Sequence, residues 1–171
     1  MIVGVISDSH DNIRALERVI GKLVEERVEL VVHLGDIISP FTVRYMRKWL
    51  GDIPVIAVLG NNDGDKMLLL KLFNEYGWTL YEGPSIIELG GRRFLIMHGY
   101  DGISHTEEIA RSLLSLNGID GVLYGHTHRR VYEKRDGKIL LNPGEVCGYL
   151  TGETSYAILD TGKLEATIHV L

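Results

Sequence analysis

The sequence predicts an α/β fold: a mixed-sheet β-sandwich flanked by helices, four layers in all. Three observations carry that expectation. Short runs rich in Val, Ile and Leu recur along the chain and read as strands buried on both faces. In the first half these runs alternate with helical patterns over short connections, which implies parallel strands joined by right-handed crossovers. In the second half, paired β-like runs flank Gly-containing turns, which implies antiparallel hairpins.

Taken in order, residues 2–7 form the first strand. Ile13, Leu16, Val19, Ile20, Leu23 and Val24 then recur at helical spacing behind a cap at Asp11 or Asn12, giving a helix over about 12–27. Residues 30–35 are the second strand, and Pro40 suits the first turn of the next helix. Residues 54–60 are a third strand, followed by a helix at 65–73. Its Met67–Leu72 run reads as core rather than a docking face. Residues 85–89 and 92–97 pair about Gly90-Gly91, a helix covers about 104–116, and 121–125 is another buried strand. Two hairpins close the chain, 130–135 with 138–141 about Asp136-Gly137, and 155–160 with 163–170 about Thr161-Gly162. Residues 144–154 form a Gly-rich loop that offers Tyr149 and Leu150 as a contact surface, and self-association to a homodimer is expected there.

The 171 residues are most simply one domain, 1–171, large enough to bury a core without staples. A net charge of −5 argues against an extended nucleic-acid surface, which needs basic residues. Cys147 is the only cysteine, so no internal disulfide forms and a reducing compartment is expected. The opening MIVGVISDSH turns polar too soon for a signal peptide or membrane span. A soluble cytoplasmic protein is the default expectation.

Five of the apolar runs end in side chains that bind metal. They lead into Asp8-Ser9-His10, Asp36, Asn61-Asn62-Asp63, His98 and His126-Thr127-His128. In open α/β sheets, ligands collect beyond the carboxyl ends of the strands. Donors spread over the whole chain would therefore meet at one edge. Asp8, His10, Asp36, Asn61, His98, His126 and His128 offer oxygen and nitrogen donors without thiolate, a set that suits Mn²⁺, Ni²⁺, Co²⁺, Fe or Zn²⁺. Two ions with four protein ligands each need eight contacts, which these seven residues supply if Asp36 bridges. Two divalent ions outweigh two carboxylates, so the loaded site stays positive and attracts an anion such as phosphate. Each motif alone has an ordinary reading as a post-strand turn or helix cap; the joint pattern does not.

In D-x-H, G-D, G-N-x-D, H-G, G-H-x-H and Asn142-Pro143-Gly144, in that order, the chain resembles the calcineurin-like metallophosphoesterases. More narrowly it is similar to the small archaeal and bacterial phosphodiesterase branch that also contains the retromer scaffold subunit. The resemblance implies Asp8, His10, Asp36 and His128 on one metal and Asp36, Asn61, His98 and His126 on the other. It also implies a two-metal hydroxide mechanism on a small phosphodiester, with Mn²⁺ the first choice of ion and His98 and His126 beside the phosphoryl oxygens. A non-catalytic protein-binding scaffold is the alternative, though the scaffold relative lacks the bridging carboxylate that Asp36 supplies here. A phosphomonoesterase or phosphoprotein phosphatase is a further alternative.

Three positions depart from the family pattern. Many relatives carry a His after the Asn ligand; Asn62 stands there and cannot deliver a proton. Tyr100 replaces a His after His98-Gly99, and Glu145 replaces a common Ser after Asn142-Pro143-Gly144, both expected to reshape the substrate rim. Asp63 reads either as a carboxylate orienting Asn61 or a metal-bound water, or as a turn residue. His33 is expected in the core, His105 at a helix start facing solvent, and His169 in a structural role. Cys147 is expected to behave as a small apolar residue.

Overall fold

The computed structural model describes residues 1–171. The first sheet holds β1 (Ile2–Ile6), β2 (Leu30–His33), β3 (Val55–Val58) and β4 (Thr79–Tyr81) as a parallel set; β10 (Ser155–Asp160) and β11 (Glu165–Val170) extend it antiparallel beside β1. In the second sheet β6 (Arg92–Met97), β7 (Gly121–Tyr124) and β9 (Lys138–Pro143) run parallel. There β5 (Ser85–Leu89) and β8 (Arg130–Arg135) are the antiparallel edges. This is the expected mixed α/β sandwich.

Side-chain alternation decides the layers. Val3, Val5, Leu30, Val32, Phe94, Ile96, Leu123 and Leu141 point between the sheets and form one core. Their neighbours Ile6, Val31, Val55 and Ala57 face the other way, onto α1 (Ile13–Glu25), α2 (Pro40–Leu50) and α3 (Lys66–Glu75). Leu95, Met97, Val122 and Tyr124 likewise face α4 (Ile103–Leu113). With both faces covered, these strands read as unbroken apolar runs in the sequence.

Local signals hold at most boundaries. Asn12 caps α1 by accepting from the Ala15 N–H, Asp65 caps α3 through the Leu68 N–H, and Pro40 opens α2. Three details differ from expectation. β4 is three residues long at the sheet edge, with Thr79 exposed and Leu80 and Tyr81 half-buried, so it is too short to show a strand period in the sequence. β9 runs on to Pro143, carrying Asn142 into the sheet. In α3, Leu69, Leu72 and Phe73 enter the core, whereas Met67 and Leu70 stay exposed.

No helix is long and apolar enough to cross a membrane.

Candidate metal centre

The carboxyl ends of β1, β2, β3, β6 and β7 converge, and the side chains that follow them meet. Asp36 lies at the middle. Its Oδ2 is 3.3 Å from His10 Nε2 and 3.4 Å from His98 Nε2. On one side His10 Nε2 and His128 Nε2 lie 3.8 and 3.4 Å from Asp8 Oδ1. On the other, Asn61 Oδ1 lies 3.1 Å from His98 Nε2 and 2.9 Å from His126 Nδ1. All seven predicted donors are therefore brought together in two groups that share Asp36.

This convergence strains the backbone. Asp8, His10, Asp36, His126 and His128 all have positive φ, between 42° and 68°. Such conformations cost about 1–3 kcal/mol each at non-glycine residues and concentrate at functional sites. Glycines relieve the crowding. A Cβ at Gly60 would collide with the Asp36 carboxylate, and one at Gly125 with the Ser7 hydroxyl. The G-D, G-N and G-H pairs in the sequence thus reflect how closely the five strand ends pack.

Hydrogen bonds select which ring nitrogen each imidazole presents. His98 Nδ1 faces the Leu34 carbonyl at 2.6 Å, and His126 Nε2 faces the Asp101 carbonyl at 2.7 Å. A carbonyl only accepts, so each of those nitrogens carries the proton and the other keeps a free lone pair. With neutral rings, His98 Nε2 and His126 Nδ1 then face Asn61 Oδ1, acceptor against acceptors. The other group shows the same pattern. Asp8 Oδ2 accepts from Ser7 Oγ and from the His126 backbone N–H, while buried Asp8 Oδ1 and His10 Nε2 have no hydrogen-bond partner. Buried polar atoms are seldom left so. Converging lone pairs and orphaned donor atoms fit cations in both groups.

With no cation between the donors, a proton on His98 Nε2 answers the Asp36 carboxylate instead. Burial alone would raise the Asp36 pKa, but the His98 hydrogen bond and charge and the Asn62 amide hold it well below the usual carboxylate range. His98 is pushed down by burial and more than restored by Asp36 and Asp8, ending above its ordinary value.

Residues 1–164 match the calcineurin-like phosphoesterase superfamily domain. The chain belongs to the calcineurin-like phosphoesterase superfamily. It is 37% identical over 168 residues to phosphodiesterase MJ0936 of Methanocaldococcus jannaschii, covering 96% of each chain. A solved structure described as a novel archaeal phosphodiesterase superposes with a TM-score of 0.87 at 36% identity, over the full length of both chains. Vps29 of Chaetomium thermophilum, at 17% identity and a TM-score of 0.69 over 99% of this chain and 95% of its own, shows the shared fold.

Around the donors of this phosphoesterase, the remaining expectations fall out as follows. Asp63 is buried and accepts from the backbone N–H groups of Gly60, Asp36 and Ile38, at 2.7, 3.1 and 2.6 Å. It ties the β2 and β3 loops together rather than touching the Asn61 side chain. Ile38, a β-branched residue at φ 81°, is held in that unusual conformation by this bond. Asn62 turns its amide onto Asp36. Tyr100 is exposed, two residues beyond His98.

Glu145 is not a rim residue. It is fully buried, and its carboxylate accepts from His128 Nδ1 at 2.6 Å. Burial would raise its pKa, but hydrogen bonds from Cys147, His128 and Thr151 pull it down to about 2. Sequence reading missed this because a Glu after a strand-end glycine carries no mark of burial.

His33 is buried beneath the site, between Ser9 Oγ at 3.0 Å and the Gly35 N–H at 3.2 Å. Burial lowers its pKa to about 4, so it is neutral. His105 is exposed and pairs with Asp101, and His169 stacks on Tyr156. Cys147 is buried; burial and the Glu145 carboxylate raise its thiol pKa to about 12, which leaves it unreactive.

Proposed function

We propose that this chain is a divalent-metal-dependent phosphodiesterase acting on small phosphodiesters. The observation that carries the reading is the paired donor group: Asp8, His10, Asp36 and His128 on one side, Asp36, Asn61, His98 and His126 on the other, with oxygen and imidazole donors converging and Asp8 Oδ1 and His10 Nε2 left without hydrogen-bond partners. The 37% identity to a named phosphodiesterase supports it. Two divalent ions held there would supply Lewis acidity toward the phosphoryl group and a water of lowered pKa. Oxygen and imidazole donors favour Mn²⁺, with Ni²⁺, Co²⁺, Fe and Zn²⁺ compatible.

The protein's own residues do the rest. Asp36 places one negative charge between the two groups. Leu34 O, Asp101 O and Glu145 hold His98, His126 and His128 in donor-ready orientation, which removes reorganisation from the reaction. Asn62 has no proton to give at neutral pH, so the leaving oxygen takes its proton from solvent. That favours diesters with good leaving groups over monoesters. Retention of Asp36 supports an enzyme over a protein-binding scaffold of the same fold. A single buried thiol suits a cytoplasmic, reducing setting.

The test is a metal-supplemented screen of matched mono- and diesters beside elemental analysis after a Mn²⁺ soak. Two ions per chain and diester hydrolysis are expected. A protein that takes up no ion after soaking would overturn the reading.

A further inference from the structure

We propose that Glu145 is a positioning residue that selects the metal-binding tautomer of His128 and, through the same carboxylate, fixes the rim loop that sets Tyr149 beside His10. The inference rests on the reading of Asp8, His10, Asp36 and His128 as a metal position.

Every partner of this carboxylate is a donor. Oε2 accepts from His128 Nδ1 at 2.6 Å, Cys147 Sγ at 3.0 Å, the Tyr149 N–H at 3.1 Å and the Leu150 N–H at 3.2 Å. Oε1 accepts from the Leu150 N–H at 3.0 Å, the Thr151 N–H at 2.6 Å and Thr151 Oγ1 at 2.7 Å. An ionised carboxylate is acceptor-only, so it alone among side chains of this shape meets all of them. Because it cannot donate, the neutral His128 ring holds its proton on Nδ1 and presents a bare Nε2, the atom 3.4 Å from Asp8 Oδ1.

The backbone aims the group. The N–H groups of Val146 and Cys147 donate to the carbonyls of Ser7 and Asp8, so the segment after Glu145 is pinned to the end of β1. Beyond it, the loop folds back over the carboxylate and sets the Tyr149 ring 6.5 Å from His10. One buried anion therefore connects an imidazole donor to the wall of the site.

Glu145→Gln keeps the shape and replaces one acceptor oxygen with an NH₂. If the NH₂ faces His128, the proton moves to Nε2 and no lone pair is left for a cation. If it faces the loop, it meets the N–H groups of Leu150 and Thr151 and releases them. In metal-free protein, nitrogen-15 NMR should show His128 protonated on Nδ1 in the parent and shifted toward Nε2 in Glu145→Gln. Mn²⁺ calorimetry should show two ions in the parent; the variant should keep one at parental affinity and bind the other about 10–100-fold more weakly. Hydrogen exchange at Tyr149, Leu150 and Thr151 should rise in the variant. Glu145→Asp, which keeps the charge but is one methylene short, should weaken the same ion and serves if the Gln variant does not fold.

Parental affinity for both ions in Glu145→Gln and in Glu145→Asp, with His128 still protonated on Nδ1 in each, would overturn the proposal, even if the loop exchanges faster, since Glu145 would then serve the loop alone. A parent that binds fewer than two ions would overturn the metal reading beneath it, a separate and recognisable result.

Discussion

The Asn62 side-chain amide donates to Asp36 Oδ2 at 2.8 Å, and the Asn62 backbone N–H donates to Asp36 Oδ1 at 2.9 Å. Asn62 thus steadies the carboxylate between the two donor groups. It offers a leaving group nothing more than a hydrogen bond. Proton delivery by a positioned acid contributes about 10²–10⁴-fold in typical enzymes. We expect activated aryl diesters to be hydrolysed well and their monoesters poorly. Asn62→His should raise kcat/KM selectively for the poorer leaving groups. Equal rates on both ester classes, with no selective gain from the added His, would sink the link between position 62 and the preference.

Asp36→Asn should abolish turnover and weaken cation binding in both groups, because the one shared charge is lost. The fold should persist, since the amide oxygen can still accept from one of the two Asn62 donors. Calorimetry with Mn²⁺ and a thermal melt of the metal-free protein separate the two effects. Diester hydrolysis at the parental rate would show that Asp36 does not join the groups.

Gly60→Ala forces a methyl group into the Asp36 carboxylate and backbone amide. The surrounding bond from the Gly60 N–H to Asp63 leaves the loop little room to yield. Overpacking of this kind costs about 1–3 kcal/mol, and here it should also cost activity by displacing Asp36. Urea unfolding and diester kinetics test both; parental values in each would count against the close approach.

His33 gives a pH signature. Its pKa is about 4 folded and roughly 6.5 unfolded, so between those values the unfolded chain binds the extra proton. Stability is full above about pH 6.5 and falls as pH drops toward 4, by up to about 1.4 kcal/mol per pH unit. In His33→Asn, with metal removed, the chain should be less stable at neutral pH yet lose less on acidification. Parallel pH profiles from urea melts of parent and variant would rule this out.

Self-association through residues 144–154 narrows to a smaller surface than the sequence suggested. Val146 and Cys147 are buried, while Tyr149 and Leu150 are 63% and 71% exposed. A dimer by sedimentation, dispersed by Leu150→Asp, is the expected outcome. A monomer at every accessible concentration would remove the idea.

How much could be read in advance differs by residue. The convergence of Asp8, His10, Asp36, Asn61, His98, His126 and His128 was legible because each follows a β-type run, and parallel runs place their carboxyl ends on one side of their sheet. Asp63 was legible only as a carboxylate near Asn61, and its grip on the N–H groups of Asp36 and Ile38 depends on two loops meeting. Tyr100 stays exposed, whereas Glu145 went inward, and nothing in the local pattern separates the two.

By itself, then, the sequence determined the strand–helix order, the sheet edge where chemistry collects and the kinds of donor placed there. Those follow from apolar periodicity and from chain connectivity, which are local properties. Only the tertiary structure decided which nitrogen each imidazole presents, that Glu145 sits behind His128, and that Asp8 is held by the backbone of His126, 118 residues away. Such choices rest on hydrogen bonds between atoms far apart in sequence, whose directions exist only once the packed strands have placed their loops.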